Sequence, residues 1–81
     1  MFYVYLLRCK DNSLYCGSTN NLDNRLKMHN SGLGSAYVRS RGGGKIVYSE
    51  TAINRSAALR REAEIKKWPK AKKERLITTH A

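Results

Sequence analysis

Residues Phe2 to Cys9 read FYVYLLRC, an apolar run rich in β-branched and aromatic side chains. The run predicts a strand buried on both faces, or nearly so. Such a strand needs cover. In a chain of 81 residues, that cover has to come from helices laid on a small sheet. Folding at this size buries only about 60% of the chain's surface, so one small core is all that can form.

The rest of the chain supplies the partners. Lys10 to Ser13 (KDNS) has turn chemistry, because Asp and Asn bond their own backbone and Asn tolerates the left-handed region. Leu14 to Ser18 reads as the return strand of a hairpin, with Gly17 marking a bulge or a close backbone approach. Thr19 or Asn20 is expected to cap a helix running to about Asn30, with Leu22, Leu26 and His29 as its inner stripe. Ser31 to Gly44 holds five of the six glycines and reads as a long loop. Lys45 to Ser49 is a third strand. Asn54 is expected to cap a helix from Arg55 to about Lys67, and Pro69 to Ile77 a short last helix. The expected order is β-β-α-β-α-α, an α+β sandwich forming one domain over residues 1–77. Its three-stranded, partly antiparallel sheet is flanked by helices.

Sixteen Lys and Arg against six Asp and Glu give a net charge of +10. A field of that sign draws polyanions: nucleic acid first, then anionic membrane and acidic protein. No apolar run approaches the ~20 residues that span a bilayer. The N-terminus lacks the basic start and small-residue cleavage site of a signal peptide, so a cytoplasmic setting is expected. Cys9 and Cys16 belong to no zinc-spaced cluster and read as small half-buried hydrophobes.

One residue does not fit its surroundings. At roughly 100° per residue, Ala58, Leu59, Ala63 and Ile65 form the apolar arc of the second long helix, and Glu62 falls near its middle. Glu64 falls on the solvent side. A carboxylate turned toward a core must be paired, hydrogen-bonded or bound to a metal. Arg60, Arg61 and Lys66 are near enough in sequence to pair with it, so a structural ion pair and a functional role stand side by side. On the first helix Arg25 and His29 are four apart and share one face, either as core residues or as a pair suited to phosphate chemistry.

Tyr3-Val4-Tyr5 and Tyr15-Cys16-Gly17 resemble the paired signatures of the GIY-YIG nuclease domain. Tyr15 to Arg25 (YCGSTNNLDNR) has that family's spacing from the second signature to its helical arginine. His29 follows one turn later, and Ala58 to Glu62 (ALRRE) resembles the segment carrying the metal-binding glutamate. Tyr3 stands where the first signature has its glycine, and Ser18 where some repair-type members carry a lysine. No asparagine follows Asn54.

The resemblance implies a metal-dependent endonuclease. It would hydrolyse DNA phosphodiester bonds with low sequence specificity, in a repair or recombination setting. Glu62 would hold Mg²⁺ or Mn²⁺, with waters and substrate phosphate completing the shell. Arg25 would hold the phosphate. Tyr15 would position or deprotonate the attacking water, with Tyr5 and His29 sharing or tuning that proton transfer. Only about one free Tyr in a thousand is ionised at neutral pH, so a base role for Tyr15 requires help from nearby cations.

Hairpin register tests the tyrosine pair. A two-residue loop at Asn12-Ser13 puts Tyr5 and Tyr15 on opposite faces, whereas a three-residue loop or a single bulge puts them together, which is the expectation. The nucleic-acid surface is expected on the C-terminal helices and the long loop, where eight of the sixteen residues from Arg60 to Arg75 are basic. The expected phosphate contacts are Arg39, Arg41, Arg60, Arg61, Lys66, Lys67, Lys70 and Lys73. Trp68 is expected in the core rather than stacked on a base. The alternatives are a non-catalytic nucleic-acid-binding module on the same fold and a domain that meets an acidic protein. Oligomeric state is left open.

Overall fold

The computed structural model describes residues 1–79 and contains three strands and four helices. They are β1 (Phe2–Cys9), β2 (Leu14–Thr19), α1 (Leu22–Asn30), α2 (Ala36–Ser40), β3 (Gly44–Ala52), α3 (Arg55–Lys66) and α4 (Lys70–Thr79). The sheet is antiparallel, in the order β2-β1-β3. The apolar run is therefore the middle strand. Val4, Tyr5, Leu6 and Leu7 are consecutive and all at most 1% exposed, so both faces of β1 are covered. Val4 and Leu6, with Cys16, pack against Ala58 and Ile65 of α3 and against Leu76 and Ile77 of α4. Tyr5, Leu7 and Cys9 pack against Val38 of α2 and Leu22 and Leu26 of α1. Full burial of each such side chain contributes about 1.5–3 kcal/mol, and alternate residues of one strand supply both layers.

The hairpin loop has three residues, Lys10 to Asn12. Cys9 N donates to Ser13 O and Asn12 N donates to Cys9 O, both at 2.9 Å, with Asn12 at φ +71°. A residue in the left-handed region closes a three-residue hairpin, and Asn is among the few side chains that accept it. The resulting register pairs Tyr5 with Gly17 and Leu7 with Tyr15. Tyr5 and Tyr15 thus share a face.

Several boundaries differ from the sequence-based expectation. β2 runs on through Thr19, and the cap of α1 is Asn21, whose side chain accepts from Asn24 N, rather than Thr19 or Asn20. Thr19 Oγ1 instead accepts from Asn21 N at 3.1 Å, fixing the turn into the helix. The long loop contains α2, capped by Ser35, because Val38 has a core site to fill. β3 spans Gly44 to Ala52, longer than expected, since β1 offers it partners along its whole length. Asn54 caps α3 as expected. Leu59 is 47% exposed and Ala63 is also outside. The inward stripe of α3 is Ala58, Glu62 and Ile65, so the apolar arc drawn from sequence was too wide. No helix among the described residues is long and apolar enough to cross a membrane.

α4 has no fully buried residue among those described, and besides the packing of Leu76 and Ile77 it is fastened by charge. Arg8 of β1 holds Glu74 of α4 through two parallel bonds, Nη1 to Oε2 at 2.8 Å and Nη2 to Oε1 at 2.6 Å. The Arg8 hydrogen bonds hold the Glu74 carboxyl down at about 2. A depressed carboxyl stabilises the fold above the ordinary value of 4.5 and stops doing so as pH falls toward 2. Glu74→Gln should therefore cost about 1 kcal/mol in urea denaturation at pH 7. The gap between variant and wild type should shrink steadily below pH 4.

Candidate active site

The site residues lie on both sides of β2, an edge strand of the sheet. On the α1 side, Tyr5, Tyr15 and His29 form an aromatic cluster. The Tyr5 and Tyr15 ring centroids are 6.4 Å apart, and His29 is 6.0 Å from Tyr5 and 5.4 Å from Tyr15. Tyr37 of α2 extends it, 5.7 Å from Tyr15, with the Arg41 guanidinium 3.7 Å over the Tyr37 ring. On the α3 side, Glu62 is turned inward with its side chain 17% exposed, and Ser18 Oγ donates to its Oε1 at 2.6 Å. The Cys16 thiol lies beneath, 3.9 Å from the Glu62 carbonyl oxygen. Burial, then Glu62, pushes that thiol up to about 11, so it stays protonated.

The two tyrosines are in different states. The Tyr5 hydroxyl is bonded to His29 Nε2 at 2.8 Å. Burial first, and then Tyr15, raise the Tyr5 phenol far above its ordinary value, while Arg25 opposes them. Tyr5 is thus locked as a phenol. Tyr15 is half-buried, and its hydroxyl makes no hydrogen bond among the described residues, which leaves it available to a water or a substrate. His29 is 2% exposed, and its Nδ1 has no hydrogen-bond partner among the described residues. Burial, then Arg25, lowers its basicity, so the imidazole is neutral.

Glycine makes this closeness possible. A Cβ on Gly17 would stand 2.5 Å from Tyr5 Oη, and one on Gly34 would stand 2.5 Å from His29 Nδ1. Arg25 is half-buried and forms no ion pair among the described residues. It lines a cleft of about 170 Å³ together with Ser18, Asn20, Arg55 and Leu59. The cleft reaches Ser18, the partner of Glu62, but not the tyrosines.

The structure thus gathers Tyr5, Tyr15 and His29 in one cluster, sets Glu62 around the strand edge, and places Arg25 close enough to act on Tyr5 and His29 electrostatically. Of the cations expected to meet phosphate, Arg39, Arg60, Lys67 and Lys73 form no ion pair among the described residues. The other four are engaged: Arg41 with Asp11, Arg61 with Glu50 and Glu64, Lys66 with Glu62, and Lys70 with Glu74. Glu64, on the solvent side as expected, pairs with Arg61. Trp68 packs on the core, with Arg61 and Lys72 over its ring. Sequence reasoning gave Ser18 no role at Glu62. Ser18 was findable: it alternates with Cys16 and so faces α3.

The donor set suits a hard divalent cation. The carboxylate is turned inward, and it already holds a positive group, the Lys66 ammonium, 2.7 Å from Oε2. No cluster of three or more His, Cys, Asp or Glu among the described residues could hold a metal. An ion at Glu62 would thus take one protein oxygen and complete its shell with water and phosphate, as Mg²⁺ does.

A small α+β domain with paired strand tyrosines, a helical arginine and a lone inward glutamate defines a class. The GIY-YIG catalytic domain family matches residues 1–75, and the chain belongs to the GIY-YIG family of nuclease-type domains. Its relatives include UPF0213 proteins of Clostridium perfringens, 51% identical over 98% of this chain and 85% of the relative, and of Oceanobacillus iheyensis, 49% identical over 93% and 87%. A UPF0213 protein of Bacillus halodurans, solved by NMR, is 41% identical. It superposes with a TM-score of 0.61 over 98% of this chain and 85% of that one.

Two outcomes are expected. Gly17→Ala should destabilise the fold by about 1–3 kcal/mol in urea denaturation, because its Cβ overlaps the Tyr5 ring end. NMR titration of the His29 imidazole should give a midpoint below 6.5, since the buried ring resists its proton. On this linkage the unfolded chain protonates first, and stability falls as pH drops through 6.5.

Proposed function

We propose that this domain is a metal-dependent endonuclease that hydrolyses phosphodiester bonds in DNA with low sequence specificity. The observation that carries the reading is Glu62. It is an inward carboxylate held by Ser18, which lines one cleft with a half-buried Arg25 that forms no ion pair among the described residues, and its partner Lys66 lies 5.9 Å from the ring of Tyr15. A bare carboxylate repels phosphate, so its place among phosphate-binding cations makes sense when a divalent cation lies between the two.

Bound at Glu62, such an ion would polarise the scissile phosphate and stabilise the leaving oxygen. The remaining roles fall to the chain. Arg25 holds a non-bridging phosphate oxygen and offsets charge that grows in the transition state. Tyr15 orients the attacking water through its hydroxyl; it can take up that water's proton only as a phenolate, having first given its own proton to solvent with nearby cations favouring the charge. Tyr5, fixed as a phenol on neutral His29, keeps the Tyr15 ring in place; its own ionisation is too costly for it to act as the base. Arg39, Arg60, Lys67 and Lys73 hold the polyanion by its backbone, which carries no base code. No helix or ribbon is spare for reading a groove. The proposed substrates are therefore distorted structures, ends and flaps, as arise in repair and recombination.

The test is nicking of supercoiled or branched DNA with Mg²⁺ or Mn²⁺. Glu62→Gln and Arg25→Ala should each lower the rate by about 10²–10³-fold while retaining a folded spectrum. Equal activity in wild type and Glu62→Gln would exclude the proposal. Binding without cleavage in all three would favour a non-catalytic module on the same fold.

A further inference from the structure

Glu62 is already occupied by the chain itself. Ser18 Oγ holds Oε1 at 2.6 Å, and Lys66 Nζ, one helical turn on, holds Oε2 at 2.7 Å. The same ammonium stands 5.9 Å over the Tyr15 ring, around the edge of β2. A dication arriving at Glu62 therefore meets a positive charge in its place. The two partners differ in freedom: the Lys66 side chain is 49% exposed and the Glu62 side chain 17%. The carboxylate is fixed by packing and by Ser18, whereas the ammonium rides on a flexible four-carbon stem and can leave.

Resting on the reading of Glu62 as the metal ligand, we propose that Lys66 is a positioning residue. It fills the cation position in the free protein and yields it when a nucleic-acid phosphate offers its ammonium another partner. An ion pair whose lysine end is half exposed is weak enough to exchange. The phosphate recruits Lys66, the departure of Lys66 opens Glu62, and the ion enters beside the phosphate that displaced the lysine. Metal and nucleic acid then bind more strongly together than apart. The ammonium already stands 5.9 Å from the Tyr15 ring, so a short swing leaves it on the tyrosine side of the site, where it adds positive charge near the phosphate.

The experiment is Mn²⁺ binding to the free protein, read from the electron paramagnetic resonance signal of unbound ion. It compares wild type with Lys66→Met, Lys66→Arg and Glu62→Gln. Lys66→Met should bind about tenfold more tightly, because both the competing ion pair and its repulsion are gone. Lys66→Arg should stay near wild type, and Glu62→Gln should lose binding. In cleavage assays Lys66→Met should need less metal for half-maximal rate yet reach a lower maximum, a split that a merely structural lysine would not produce. Equal Mn²⁺ affinity in wild type and Lys66→Met, no binding by Lys66→Met, or affinity that survives Glu62→Gln would each overturn the proposal. Tighter binding by Lys66→Met with no cleavage by wild type would sink the nuclease reading and leave this one standing.

Discussion

Burial of β1 on both faces is the constraint from which the rest of the molecule follows. A strand that hides consecutive side chains must have a layer on each side, and alternate residues decide what each layer is. Val4 and Leu6 gather α3 and α4, while Tyr5 and Leu7 gather α1 and α2. The chemistry is split by the same rule. Tyr5 points with its neighbours into the α1 layer, and Glu62 arrives through the α3 layer. The two halves are united only because β2 has no further strand beyond it, so that side chains from both layers can meet around its rim.

Within that arrangement, burial separates two chemically identical tyrosines. Tyr5 lies under the cluster, bonded to a neutral His29, and its phenol is held protonated. Tyr15 lies at the rim with its hydroxyl uncommitted. One is fixed in a hydrogen bond and the other is left open to water or substrate, and the difference comes from which strand each occupies. Gly17 and Gly34 give the buried member its space by removing a Cβ from the path of Tyr5 and of His29.

Much of this was legible in the sequence. Three strands, the Asn54 cap, the shared face of Tyr5 and Tyr15 and the inward turn of Glu62 follow from period, turn chemistry and spacing. These are local properties, and they survive folding when tertiary packing does not oppose them. What was not legible depends on neighbours distant in sequence. α2 is a five-residue helix in a glycine-rich segment, ordered around Val38 in the core, and no periodicity announces it. Leu59 and Ala63 look apolar and inward on a helical wheel, yet α3 meets the sheet along a narrower stripe than the wheel assumes. Which of three nearby cations would hold Glu62 depends on rotamer and on where β2 ends. Arg61 was drawn away by Glu50 and Glu64, and Lys66 remained.

The position of Glu62 and Lys66 has a consequence unrelated to catalysis. A strand at the margin of a sheet presents a row of backbone groups to which a foreign strand could add, and proteins commonly deter such additions with charge, lysine above all. Here the rim of β2 is flanked by a fixed carboxylate and a mobile ammonium, so the charges proposed for chemistry also defend a vulnerable margin. Removing them would make the molecule stickier toward copies of itself, whatever it did to the proposed chemistry. Selection on solubility and selection on turnover would then act on the same few atoms.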